Sequence, residues 1–139
     1  MSPVETDAPI RLAVLGAHLQ GQPLHHQLTD LDATFVGLTT TAPAYRLHAL
    51  DTIPPKPGIA RVAEGGVAIE VEVYELGPAA FGRFVDAIPA PLGIGRLELA
   101  DTSVVAGFIC EPIGLDRAPD ISGFGGWRAY LTSGGASPP

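Results

Sequence analysis

Two short segments carry residues suited to chemistry. The first is Gly16-Ala17-His18-Leu19-Gln20-Gly21-Gln22-Pro23-Leu24. An apolar run beginning at Ile10 ends at Gly16, and Pro23 can open a helix because its fixed φ suits a first helical position. Glycines let backbone approach a ligand closely, and free N–H groups ahead of a helix attract anions. His18 titrates near neutral pH, so it is suited to giving or taking a proton. A loop histidine bonded to backbone accounts for the same residues. The second segment is Ile53-Pro54-Pro55-Lys56-Pro57-Gly58, which holds the only lysine of the chain. Prolines on both sides restrict where its ammonium can go. That suits anion binding, and a solvated loop lysine is the plain alternative. Tyr45 and Arg46 follow Ala42-Pro43 and alternate faces on a strand, so one of them can face a pocket. Arg46 is a better fork for a carboxylate than a lysine.

Other polar residues point to less. His25 and His26 are adjacent and leave a helix on different sides. With His18 and His48 they match no zinc spacing, so no metal ligand is expected. Glu70 and Glu72 share a strand face, which reads more readily as a wet face than as an acid/base pair. Cys110 is the only cysteine. It cannot form an internal disulfide, and its apolar neighbours mark a core position. Trp127-Arg128, behind Gly125-Gly126, reads as a packing anchor near the chain end. No Ser-His-Asp order, P-loop, G-x-G-x-x-G or H-E-x-x-H occurs. Spacing alone therefore names no reaction.

The elements that must position these groups are short. The chain has 139 residues, 46% hydrophobic and 17% charged, which implies one folded domain with a real core. Seventeen glycines and fourteen prolines favour short strands and tight turns. Strands are expected at Ile10–Gly16, Ala33–Thr41, Ala44–Leu50, Ile59–Ala63, Val67–Leu76, Leu92–Leu99 and Val104–Cys110. Helices are expected at Pro23–Asp30, Pro78–Ile88 and Trp127–Leu131. In Val67–Leu76 the residues Val67, Ile69, Val71 and Val73 share one face; Glu70, Glu72 and Tyr74 share the other. Residues 1–9 read as a flexible arm and residues 132–139 as a disordered tail. The fold class that follows is α+β and mainly antiparallel. A net charge of -7 argues against nucleic acid as a partner. No apolar run is long enough to cross a membrane and no secretory signal opens the chain, so a cytoplasmic protein is expected.

The ordered strings Leu12-Ala13-Val14-Leu15-Gly16-Ala17-His18-Leu19, Thr41-Ala42-Pro43-Ala44-Tyr45-Arg46-Leu47 and Pro55-Lys56-Pro57-Gly58 resemble the C-terminal domain of allophanate hydrolases. The likeness continues through Ile69–Leu76 and Ile88–Gly95, and closes with Gly125-Gly126-Trp127-Arg128-Ala129-Tyr130-Leu131. It spans residues 10–131. The resemblance implies a γ-glutamylcyclotransferase-like fold, a small mainly antiparallel β-barrel with short flanking helices. Cyclotransferases of that fold use a glutamate on a later helix as acid/base. Here that helix is Pro78–Ile88, whose only carboxylate is Asp86, offset from the required place, so cyclotransferase activity is disfavoured. The Ser-Ser-Lys amidase signature of allophanate hydrolases has no counterpart. The chain is accordingly expected to be a free-standing or excised copy of the domain, with no amidase activity.

The resemblance implies a role in allophanate and urea degradation: cofactor-free decarboxylation of N-carboxycarbamate, a small anionic substrate. The roles it suggests are His18 as general acid, with Gly16, Ala17, Leu19 and Gly21 supplying the loop that holds the anion. Arg46 and Lys56 would add positive charge, and Tyr45 would orient the guest. The rival expectation is a non-catalytic module that helps an amidase domain or subunit assemble, or that forms a homodimer. A binder of cyclotransferase-type amines is a third.

Overall fold

A computed structural model describes residues 8–134. The expected arm and tail fall largely outside the described residues. Among the described residues seven strands, four short α-helices and one 3-10 helix (Ser122–Phe124) follow in order. The strands are β1 (Ile10–Val14), β2 (Thr34–Thr40), β3 (Tyr45–Leu50), β4 (Lys56–Arg61), β5 (Glu70–Leu76), β6 (Leu92–Glu98) and β7 (Val104–Cys110). The α-helices are α1 (His26–Thr29), α2 (Pro78–Asp86), α3 (Pro112–Leu115) and α4 (Trp127–Thr132). Apolar runs make β1 and β7, whereas β5 (EVEVYEL) alternates apolar and polar residues and β4 carries Pro57 and Gly58 within it. Two helices open on proline at a first helical position, which fixes where α2 and α3 start.

Five strands form one sheet in the order β2-β5-β1-β7-β6, and β3 and β4 form a separate ribbon. β1 is central. It pairs antiparallel with β5 (Leu12 opposite Tyr74) and parallel with β7 (Leu12 opposite Ala106). β6 and β7 make the expected hairpin, and a bulge interrupts β2 between Phe35 and Gly37.

The α+β class and the strand-rich layout match expectation. The barrel does not. The sheet edges, β2 and β6, touch only where Thr41 bridges Leu99 just past their ends, and no closed barrel forms among the described residues. A right-handed twist brings the edges of a curled sheet together at one end while they splay at the other. β3 leaves that sheet for a ribbon of its own with β4.

Because β1 is covered on both faces, Leu12, Ala13 and Val14 are all fully buried. The core adds Leu47, Ile59, Ile69, Val71, Leu97 and Trp127. The alternation of β5 predicts one apolar and one wet face. Its apolar face is buried as expected, but Glu72 and Tyr74 on the other face are each only 3% exposed. The loop after β1 and helix α4 cover that side, as hydrogen bonds from Gln20 and Arg128 to Glu72 demonstrate. Among the described residues no helix is long and apolar enough to cross a membrane.

Candidate functional site

The loop that leaves β1 is tightly turned. The Leu19 N–H donates to the Gly16 carbonyl (3.0 Å), and the Leu24 N–H donates to the Ala17 carbonyl (2.8 Å). Gly16 lies directly on Pro57, so the loop crosses the start of β4. That crossing sets His18 beside Lys56.

His18 is 5% exposed. Its ring stacks on Phe108 of β7 (centroids 5.0 Å, planes 22° apart) and meets the edge of Phe84 from α2 (5.1 Å, 64°). Nε2 lies 2.8 Å from the Gln27 amide oxygen. With that oxygen accepting, Nε2 carries a proton, and Nδ1 has no partner among the described residues. Burial pushes the ring pKa down to about 4; the Gln27 bond opposes this, and the nearby Lys56 charge adds to it. The expectation of a near-neutral titration is thus displaced: aromatic walls disfavour the imidazolium until something negative joins it. His25 supports the same loop through Nδ1, which is 2.9 Å from the His18 carbonyl.

Lys56 departs from the solvated loop reading. It is the first residue of β4 and 6% exposed. No ion pair satisfies its ammonium among the described residues. A cleft of about 200 Å³ opens between its side chain, His18 and Gln27, with Ile53, Pro54, Leu92 and Phe108 on its apolar sides. A narrow extension runs along Gly16, Ala17 and Pro57. The N–H groups of Ala17 and His18 donate to no acceptor among the described residues, and both residues line this extension. Chemically, the cleft offers one ammonium, one imidazole and backbone donors around a small volume. That combination suits an anion.

Other expected site residues lie elsewhere. Tyr45 is 1% exposed in the core, and its hydroxyl accepts the Glu98 N–H at 2.9 Å. Arg46 pairs with Asp120 (3.0 Å) and donates to the Gly65 carbonyl (2.9 Å). It stands opposite Ala60 in the ribbon, whereas Lys56 stands opposite Leu50. The length of the ribbon separates the two cations, and neither Tyr45 nor Arg46 lines the cleft. Leu19 sends its side chain fully into the core. Gly21 has φ +82°, which makes it a turn residue. Cys110 is half-buried rather than deep in the core, with a thiol pKa raised by burial. His26 and His48 bond backbone carbonyls, and no group of three metal-ligating side chains occurs among the described residues.

Sequence reasoning passed over Gln27, Phe84 and Phe108 as site residues. Their apolar or amide character carries no chemical signal in isolation; only their convergence on His18 reveals them. It also misread Glu72 and Arg128. The Glu72 carboxylate accepts from the Gln20 N–H (2.9 Å), the Tyr74 hydroxyl (3.0 Å) and Arg128 (2.7 Å). Burial, followed by the Glu72 carboxylate, pushes the Tyr74 phenol up to about 12, so it remains a donor.

Comparison with known proteins agrees on one relationship. The family model described as the allophanate hydrolase C-terminal domain matches residues 10–132. Urea amidolyase of Saccharomyces cerevisiae is 46% identical over 127 residues, which cover 88% of this chain. The chain spans only 7% of the length of that relative. The solved Kluyveromyces lactis allophanate hydrolase superposes with TM-score 0.86 at 42% identity, covering 90% of this chain and 21% of that one. A uropathogenic E. coli-specific protein has TM-score 0.84 at 33% identity, covering 90% of this chain and 97% of its own. The fold is γ-glutamylcyclotransferase-like.

Proposed function

The chain belongs to the allophanate hydrolase C-terminal domain family, and on that premise we propose that the His18 cleft decarboxylates N-carboxycarbamate in urea degradation. The observation that carries this reading is the convergence of His18 and Lys56, from separate segments, on one small cleft. Lys56 holds one carboxylate of the dianion, and the unpaired N–H groups of Ala17 and His18 supply further donors. Two negative charges beside a buried ring favour its protonated form, so His18 takes up a proton as the substrate binds. The C–N bond then breaks. Its electron pair stays on nitrogen, carbon dioxide leaves, and nitrogen takes the proton from Nδ1. Carbamate and neutral His18 remain. Gln27 orients the ring through Nε2 and supports both of its charge states. Phe84 and Phe108 keep water from the imidazole.

The test is carbon dioxide release from N-carboxycarbamate generated in place by a separate amidase. His18→Ala should slow it by about 10²–10⁴, the usual contribution of general acid catalysis. Turnover equal to that of the unaltered protein would reject the assignment.

A second reading, an assembly module for an amidase region, has its own support. Phe35, Val36 and Leu38 on edge strand β2 are exposed, and edge strands invite pairing with another chain. Co-elution with an amidase, abolished by Leu38→Lys and accompanied by no decarboxylation, would favour it.

A further inference from the structure

Glu72 and Arg128 carry charges on the covered face of the large sheet, and neither lines the cleft. Glu72 comes from β5 and Arg128 from α4. Their closest contact is 2.7 Å, with the Glu72 side chain 4% exposed and that of Arg128 34% exposed. Arg128 also reaches Glu70 at 3.2 Å. The placement of α4 makes this reach possible. Glu70 donates its N–H to the Gly125 carbonyl (2.9 Å), and a β-carbon on Gly126 would stand 3.0 Å from the Glu70 β-carbon. Trp127, 2% exposed, anchors the helix in the core.

The pair does more than join α4 to β5. The Gln20 N–H donates to Glu72 Oε1 (2.9 Å), and the Gln20 carbonyl accepts from Arg128 Nη2 (2.9 Å). Both backbone polar groups of one residue are thus held by one ion pair. Gln20 is two residues beyond His18, in the turn that crosses β4. An apolar contact could hold the loop down, but it would not set its rotation; two directional bonds to one residue do.

We propose that the Glu72–Arg128 pair is a positioning device, fixing the His18 loop through Gln20 so that the imidazole stays packed beside Lys56. The proposal deepens the decarboxylase reading and rests on it for its functional meaning, while the positioning itself can be measured without turnover.

The experiment follows the His18 ring by nitrogen and carbon NMR from roughly pH 3 to 8 in the full chain. The variants are Glu72→Gln, Arg128→Met and Arg128→Lys. Arg61→Met, which removes the exposed pair with Glu98 (3.1 Å), is the control. In the unaltered protein the ring titrates near pH 4, with the proton of the neutral form on Nε2. With the pair broken, the midpoint should rise by about one unit or more as water reaches the ring, and the single tautomer should become a mixture. Carbon dioxide release should fall about tenfold or more, in kcat more than in KM. Arg61→Met should change none of these. Arg128→Lys keeps the charge but loses the fork, so it should show the same shifts at smaller size even where Arg128→Met fails to fold. A folded Glu72→Gln or Arg128→Lys protein with unaltered midpoint and tautomer would overturn the proposal. Lack of decarboxylation by the unaltered protein would instead reject the proposed function, with the ring titration still deciding the positioning.

Discussion

Gly16 and Pro57 touch across 41 positions of sequence: a β-carbon on Gly16 would stand 2.2 Å from Cδ of Pro57 and 2.6 Å from its Cγ. This contact brings the β1 loop over the start of β4, and with it His18 to Lys56. Glycine is required here because the neighbour is a proline ring that cannot swing aside.

Gly16→Ala should therefore cost stability and spoil the site together. Overpacking of a tight contact costs about 1–3 kcal/mol. Urea denaturation should register that loss, and anion binding should weaken in the fraction that remains folded. A fully stable Gly16→Ala protein would mean that loop and ribbon are not in contact.

Lys56→Met should weaken binding of malonate, in which a methylene replaces the nitrogen of N-carboxycarbamate. Loss of a charged hydrogen bond of about 1.5–3 kcal/mol corresponds to roughly 10- to 150-fold in Kd. Calorimetry reads this directly, and equal affinity would remove Lys56 from the site.

Malonate binding should also draw protons from solution. Free His18 titrates near 4 and is neutral at pH 7. If two carboxylates raise its pKa past neutrality, between about 0.5 and 1 proton is taken up per anion, and binding tightens as the pH falls from 8 toward 5. Calorimetry in buffers of different ionisation enthalpy measures the number. Zero uptake would leave His18 neutral and end its role as general acid.

The same burial makes stability depend on pH. The His18 pKa is lowered on folding from 6.5 to about 4, so the unfolded chain binds the proton first as pH falls. Its contribution is present above pH 6.5 and is lost between there and 4, a loss of about 3 kcal/mol. Asp120, lowered from 3.8 to about 2, loses its own contribution only below that window. Melting at pH 7 and pH 4.5 should show the drop in the unaltered protein and much less of it in His18→Gln.

Arg46→Met should change little. Its pair with Asp120 is more than a third exposed on both sides, and such pairs contribute about 0–1 kcal/mol. Turnover within about twofold of the unaltered protein is expected. A large loss would bring Arg46 back into the site despite its distance along the ribbon.

Much of this was legible in the chain. Alternation in β5 separated Val71 and Val73 from Glu72 and Tyr74, because side chains of a strand must point to opposite faces. Turn residues and proline placed β6, β7 and α2 within a residue or two of their observed ends. The glycine-bearing loop and the lone lysine were recognisable because local backbone freedom and charge are properties of residue type. What lay beyond reach was what covers each surface. Periodicity assigns Glu72 to a face, but only the return of α4 and the β1 loop buries that face and turns a wet carboxylate into a clamp. Likewise the near-neutral histidine became a ring of pKa about 4 because Phe84 and Phe108, 66 and 90 residues away, close around it. Local sequence determines which way a side chain points and how the backbone can turn. Desolvation and the meeting of distant charges depend on contacts between remote segments, and the tertiary structure alone decides them.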